Sequence, residues 1–357
     1  MNDRAQRVTD LLPAAGADIL LVSGLVNIRY LTGYTGSNGL ALIGPHTRTF
    51  ITDFRYLEQA AQEVDDSFER ITAPQDLLDS VAEMLPDGAL RLGFEDAHTT
   101  VRGHRRLTEL LPERVELVAV EGLVEGLRAV KDPEELARIR AASEIADTAF
   151  TELLAEGLIG RTERQLALAL ELKMREHGAS RAGFDTIVAA GPHGALPHAT
   201  PRDVPVKRGQ LVVIDWGAEF EGYRSDCTRT VSIGEPDRQA AEIYQLVLEA
   251  QLAGLDAVRP DAVSREVDRA AREVIEAAGQ GEHFGHNLGH GVGLDIHEDP
   301  RLTRRSDARL RAGNVVTVEP GVYLPGQFGV RIEDLVVVND GGRELLTSIS
   351  KELMVTG

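Results

Sequence analysis

LVVIDWGAEFEGYRSDCTRTVSIG, residues 211–234, is the stretch whose reading decides the fold of this chain. Two runs of alternating, β-prone residues flank Glu221-Gly222, a dipeptide suited to a two-residue hairpin turn. With that turn, Phe220 faces Tyr223, Asp215 faces Thr228 and Gly217 faces Asp226. Side chains alternate along a strand, so positions 215, 217, 226 and 228 share one face and the two aspartates are diagonal neighbours. Two acids on one face of an otherwise apolar ribbon are costly without a counter-charge. The same alternation sends Cys227 to the opposite face, where a packed, inert thiol is expected.

Outward from the hairpin, two further carboxylates stand in strand-like contexts: Glu319 in TVEPG (317–321) and Glu333 in VRIED (330–334). VVTVE ends in a Pro-Gly break, and the chain resumes after YLPGQF as GVRIEDLVVV, which predicts a second strand pair with inward acids. His290 stands in LGHGVGLDIHE (288–298). His286 and His290 have the i, i+4 spacing of a helical zinc motif, but Gly285, Gly289, Gly291 and Gly293 argue against a helix. The segment reads as extended backbone or loop that can approach a ligand closely. His297, and His198 in LPHATP (196–201), complete the group. His46, His98, His104, His177, His193 and His283 read as surface residues. If Asp215, Asp226, His290, Glu319 and Glu333 converge, four carboxylates repel one another unless about two divalent cations neutralise them. The expectation is a two-metal centre.

At 357 residues the chain exceeds what one hydrophobic core usually serves, so two domains are expected. Its formal charge of −19, with no Lys/Arg run, argues against nucleic acid and against an anionic membrane surface as partners. A single cysteine excludes an intramolecular disulfide and fits a reducing compartment. The start, MNDRAQRVTD, lacks the apolar core of a signal peptide, and no apolar run is long enough to span a bilayer. A cytoplasmic location is expected.

Residues 1–122 read as a small α/β domain. A polar helix over 3–15 precedes the apolar run 18–22, and NIRYLTGYTGSNGLALI (27–43) and TRTFITDFRYLEQA (47–60) supply further strands, the latter running into a helix. RLGFED and VELVAVEG repeat the strand pattern around a helical GHRRLTELL. Residues 123–132 read as a linker, after which KDPEE offers an Asp cap, a Pro at the first helical position and acids in the first turn. Within 133–357, a long amphipathic helix carries Leu136, Ile139, Ala142, Ile145, Ala146 and Ala149 at helical spacing. Further helices are predicted over 163–177, 236–257 and 264–278, with a strand pair around FDTIVAAG and ALPHATP. Two units of helix pair plus strands hint at pseudo-symmetry.

The segments IDWG, SDCTRT, GHGVGLDIHE, VEPGVY and RIED, in this order and at these separations, resemble the proline-specific metallopeptidases of the pita-bread fold, aminopeptidase P and prolidase. NIRYLTGYTGSNG and VKDPEELARIRAA extend the resemblance across nearly the whole chain. It implies an α/β (α+β) protein: a small creatinase-like amino-terminal domain, then a pita-bread catalytic domain with a curved, mainly antiparallel sheet covered by helices. It implies that Asp215 chelates one metal, that Asp226 and Glu333 bridge both, and that His290 and Glu319 complete the second. His198 and His297, and commonly His286, would surround the substrate and the tetrahedral intermediate, with Arg331 and Tyr323 supporting the site or binding substrate. Manganese is the metal implied, with cobalt, zinc or iron as alternatives, and an oxygen-rich shell independently suits Mn²⁺. A homodimer is implied as well.

The chemistry that follows is hydrolysis of an Xaa-Pro bond, a tertiary amide whose nitrogen has no hydrogen. A hydroxide bridging the two cations would attack the Xaa carbonyl, His198 or His297 would stabilise the oxyanion, and Glu319 would shuttle the proton to the leaving nitrogen. The reading leans to removal of the first residue from Xaa-Pro peptides, as by aminopeptidase P, with Xaa-Pro dipeptidase (prolidase) as the alternative. An additional amino-terminal domain disfavours a methionine aminopeptidase, and the intact ligand set disfavours a creatinase-like hydrolase. A non-catalytic pita-bread binding protein is the rival of another class, distinguished by absence of metal uptake and of Xaa-Pro cleavage.

Overall fold

A computed structural model describes residues 3–74 and 76–356; Met1, Asn2, Gln75 and Gly357 lie outside the described residues. The chain divides into two compact units, Met1–Arg128 and Ala129–Gly357.

The first unit is a mixed six-stranded sheet with helices. Its elements are α1 (Arg4–Leu11), β1 (Ile19–Val22), α2 (Leu25–Thr32), β2 (Leu40–Gly44), β3 (Thr47–Asp53), α3 (Leu57–Glu63), β4 (Glu69–Ala73), β5 (Leu90–Glu95), α4 (Val101–Leu110), β6 (Val115–Val120) and α5 (Leu123–Arg128). The strand order is β4-β3-β2-β1-β5-β6. The meander β1-β2-β3 is antiparallel, whereas β4, β5 and β6 join in parallel. Ile19, Leu21, Leu40, Leu42, Ile51 and Leu92 fill its core. Two expectations are corrected. Residues 27–32 are helical, not strand: the positions that are not buried, Leu25, Val26 and Arg29, fall on one side of a helix, and Gly33 ends it in the left-handed region at φ 84°. The first helix stops at Leu11, shortly before Pro13, rather than reaching Ala15. Residues 123–128, within the segment read as a linker, form α5.

The second unit opens with α6 (Pro133–Glu156) and α7 (Glu163–Glu176). Each starts with a capping box, Asp132 with Glu135 and Thr162 with Gln165. Strands β7 (Arg181–Ala182), β8 (Ile187–Ala190), β9 (Leu211–Trp216), β10 (Ala218–Phe220), β11 (Tyr223–Arg224) and β12 (Cys227–Ile233) follow. A second helix pair, α8 (Arg238–Ala257) and α9 (Ser264–Ala277), precedes β13 (Gly289–Gly291), β14 (Glu298–Leu302), β15 (Val315–Val318), β16 (Gly321–Leu324), β17 (Phe328–Arg331), β18 (Asp334–Asn339), β19 (Gly342–Leu345) and β20 (Val355–Thr356). A four-stranded sheet, β20-β12-β9-β8, shares a core with α6 and α7 through Phe150, Leu153, Leu170, Ile214 and Trp216. A five-stranded sheet, β14-β13-β15-β18-β19, does the same with α8 and α9 through Val247, Leu255, Ile275, Val316 and Val336. The helix pairs and their sheets thus repeat, as the sequence pattern hinted. Pairing is antiparallel except for β12 with β20.

The hairpin has the expected register. Glu221 and Gly222 both take positive φ, 49° and 88°, Phe220 pairs with Tyr223, and Asp215 pairs with Thr228. Gly217 is required where the ribbon bends, because a Cβ there would collide with the Ser225 carbonyl. ALPHATP is not a strand. Residues 191–195 form a 3₁₀ turn, β8 pairs with β9 instead, and Pro197 and Pro201 have no N–H to offer a ladder.

Candidate metal centre

The two hairpin aspartates meet Glu319, just past β15, and Glu333, between β17 and β18. Asp215, Asp226 and Glu333 each offer a carboxylate oxygen, and these lie within 4.8 Å of one another. Glu319, just past β15, lies 3.3 Å from the Nε2 of His290, which is 3.6 Å from Asp226. All five residues, with His198, His286, His297 and Arg331, line one cavity of 860 Å³. Tyr323 is buried and bonded to His286 and Arg331 rather than lining the cavity.

Hydrogen bonds decide how each side chain sits. Arg331 donates to Asp215 at 2.6 Å, to the hydroxyls of Tyr323 at 2.9 Å and Thr228 at 3.0 Å, and to the Pro197 carbonyl at 3.2 Å. Thr228 in turn donates to Glu333 at 2.6 Å. Thr317 donates to Glu319 at 3.1 Å and accepts the backbone N–H of His290. Thr228 and Thr317 are functional residues the sequence reading did not single out. The signal was present, since each lies two positions along the chain from a candidate ligand, on the same strand face.

The Tyr323 hydroxyl accepts from Arg331, so its own proton goes to Nε2 of His286, 2.9 Å away. Nδ1 of His286 donates to the Asn287 carbonyl at 2.8 Å. Both ring nitrogens are therefore engaged, and His286 braces Tyr323 and Arg331. Burial lowers its pKa, in keeping with a neutral ring. His297 packs edge-on against His290, ring centroids 4.5 Å apart. Burial and then the His290 imidazole hold it down to about 4, so it is a neutral hydrogen-bonding group at neutral pH. Cys227 is buried in the core with Trp216 and Val231, and burial pushes its thiol well up. His193, read as a surface residue, is buried against Glu163.

The charge pattern fits a cation. Burial, then Glu333 and Asp215, push Asp226 well above the ordinary carboxylate range, and burial, then Glu319 and Asp215, do the same to Glu333. Burial also raises Asp215, against the pull of Arg331. Burial works against Glu319 too, but the hydrogen bond and charge of His290 hold it down to about 2. Asp215 Oδ1 is buried without a hydrogen-bond partner among the described residues. His290 gives Nδ1–H to the Gly291 carbonyl at 3.1 Å, which leaves Nε2 facing two carboxylates. An orphaned carboxylate oxygen and an imidazole nitrogen, set among oxygens that repel, are the donor set of a divalent-cation site.

A family model for metallopeptidase family M24 matches residues 137–340, and one for the creatinase/prolidase N-terminal domain matches residues 4–130. An Xaa-Pro dipeptidase of Pyrococcus furiosus is 34% identical over 359 residues, covering 99% of this chain and 100% of the relative. Among solved structures, an Xaa-Pro dipeptidase from Bacillus anthracis superposes with a TM-score of 0.94 at 39% identity, covering 99% of each chain. An X-Pro aminopeptidase from Thermotoga maritima gives 0.89 at 38% identity, covering 99% of this chain and 100% of that one.

Proposed function

Because the chain belongs to metallopeptidase family M24 and has its pita-bread fold, we propose that it hydrolyses the Xaa-Pro peptide bond, with dipeptides as preferred substrates. The observation that carries the reading is the convergence of Asp215, Asp226, His290, Glu319 and Glu333 on one cavity. These five would hold two divalent cations, most suitably manganese. Bound there, such ions supply Lewis acidity and an acidified water at neutral pH.

The remaining work falls to side chains. Glu319 accepts the proton of the attacking water and delivers it to the proline nitrogen, which departs as an amine. His198, open to the cavity, and neutral His297 donate to the developing oxyanion. Arg331 fixes Asp215, and His286 fixes Tyr323 beside it.

Arg301 supports dipeptides over the longer peptides expected from the sequence. It lines the cavity, donates to the His297 carbonyl at 3.0 Å, and has no carboxylate partner among the described residues. A dipeptide places its terminal carboxylate close to the scissile bond, where a guanidinium can hold it. Relative turnover of an Xaa-Pro dipeptide and an Xaa-Pro-Yaa tripeptide, with manganese-loaded protein, tests this. Dipeptide preference that Arg301→Ala weakens is expected; tripeptide preference indifferent to that change returns the reading to aminopeptidase P. Absence of any Xaa-Pro cleavage with metal bound would favour the binding-protein alternative. A homodimer, checked by sedimentation, and a cytoplasmic setting consistent with the lone buried Cys227 complete the reading. No helix among the described residues is long and apolar enough to cross a membrane.

A further inference from the structure

Glu163 is the first residue of α7, a position where an acid ordinarily faces solvent and complements the helix dipole. Here it is fully buried. Its carboxylate receives five N–H donors: Ala190 N at 3.0 Å, His193 Nδ1 at 2.9 Å, and from Arg202 the backbone N at 2.9 Å, Nε at 3.1 Å and Nη2 at 3.0 Å. Burial works against its ionisation, but Arg202 and the backbone N–H groups outweigh it and hold the carboxyl below its ordinary range.

The donors are informative by their place in the chain. Ala190 ends β8 and Arg202 closes the segment that follows, so one carboxylate ties together both ends of loop 191–201, and His193 ties the 3₁₀ turn near its start. His198 sits in that loop, its side chain open to the cavity. No hydrogen bond reaches its ring among the described residues, so the position of the ring is inherited from the backbone. The loop is also held by Pro197 O, which accepts from Arg331, by the close passage of Gly194 over Gly329, and at its far end by Arg164 N, which donates to the Arg202 carbonyl at 3.1 Å.

We propose that Glu163 is a positioning residue for Xaa-Pro hydrolysis, holding His198 at the scissile carbonyl through loop 191–201; this rests on the substrate-binding role given to His198 above. Glutamine in its place is nearly isosteric but has one acceptor oxygen and turns an NH₂ group toward converging donors. The loop loses tethers at both ends, while β9, β12 and β15 are untouched. Misplacement of a substrate-contacting group by about 1 Å can cost 10²-fold in rate.

The test has two arms, both on the manganese-loaded full chain. In the first, amide hydrogen exchange followed by mass spectrometry compares the parent with Glu163→Gln. Exchange in 191–201 should quicken at least about tenfold, with β9 and β12 unchanged; unchanged exchange in the loop overturns the proposal, whatever the substrate. In the second, kcat/KM for an Xaa-Pro dipeptide is measured for Glu163→Gln, His198→Ala and the double variant. A 10- to 100-fold loss, roughly, is expected from Glu163→Gln in the parent but less than about twofold when His198 is already alanine. Losses that multiply overturn the positioning role alone, since a general structural effect would not depend on His198. Parent-like activity of His198→Ala overturns the assignment of His198 with it. Should a parent with metal bound cleave no Xaa-Pro peptide, the functional reading fails and the exchange arm still decides the tether. If Glu163→Gln does not fold, Arg202→Ala, which removes a half-exposed side chain and spares its backbone bond, enters both arms with the same expected signs.

Discussion

Two clusters among the described residues bring three carboxylate or imidazole groups within 4.8 Å of one another: Glu95, His98 and Glu125 in the first unit, and Asp215, Asp226 and Glu333 in the second. In the first, the oxygens are answered. Glu95 accepts the backbone N–H groups of Ser23 and Gly24 and the Asn27 amide, and Glu125 accepts the same amide and His98 Nε2. Arg128 donates to the Asn27 oxygen, which orients the amide toward both acids. In the second cluster Asp215 Oδ1 is orphaned, and Asp226 and Glu333 are pushed well up by burial first and by neighbouring acids second. Proximity of acids does not make a metal centre. Buried acceptor capacity that the protein leaves unfilled does, because that is what a cation satisfies.

Metal removal is the strongest test of this contrast. Chelation should abolish peptide hydrolysis, manganese should restore it, and the melting temperature should fall on chelation because a ligand at 100 times its Kd adds about 2.7 kcal/mol to the native state. Asp226→Asn should eliminate that metal-dependent shift, whereas Glu95→Gln should preserve it. A shift lost in Glu95→Gln would mean that the first cluster also binds metal. Next in size, Glu319→Gln should lower kcat by about 10²- to 10⁴-fold while keeping most of the metal-dependent melting shift, since it removes a proton carrier and leaves the other four candidate ligands. Near-normal turnover with metal bound would sink the shuttle role.

In the first cluster the effects are on stability. Asn27→Ala leaves two buried or half-buried acids without their shared donor and should cost about 1–3 kcal/mol, read from denaturant unfolding. Rescue of that variant by added manganese would erase the distinction between the clusters. The smallest effect is expected for His98→Ala. Its contact with Glu125 is partly exposed, and a loss of about 0.5 kcal/mol is the scale for such pairs.

The parts of this molecule legible in the sequence share a short range. The Glu221-Gly222 turn sets the register of Asp215 against Thr228, and the glycines around His290 correctly argued against a helix, since Gly289–Gly291 is a strand. The helix at 25–32 was missed because Ile28, Tyr30 and Thr32 are residues that strands favour, and burial of one face outweighs that propensity. His286 was legible as a residue of the site, but its bracing role was not, since that depends on which donors meet Tyr323. Glu163 and His193 carried no signal. An acid opening a helix and a histidine in a loop are ordinary surface features until a remote Arg202 and a folded loop bury them together.

What the sequence by itself determined is parity and turn type: which acids share a strand face, where the ribbon reverses, and that four carboxylates need counter-charge if they meet. These follow from the two-residue period of a strand and the φ demands of one turn. Only the tertiary structure decided which oxygens are left unfilled. That depends on donors delivered across long separations, such as Arg331 to Asp215 and Thr228 to Glu333, and on burial that strips water from whatever those donors do not reach.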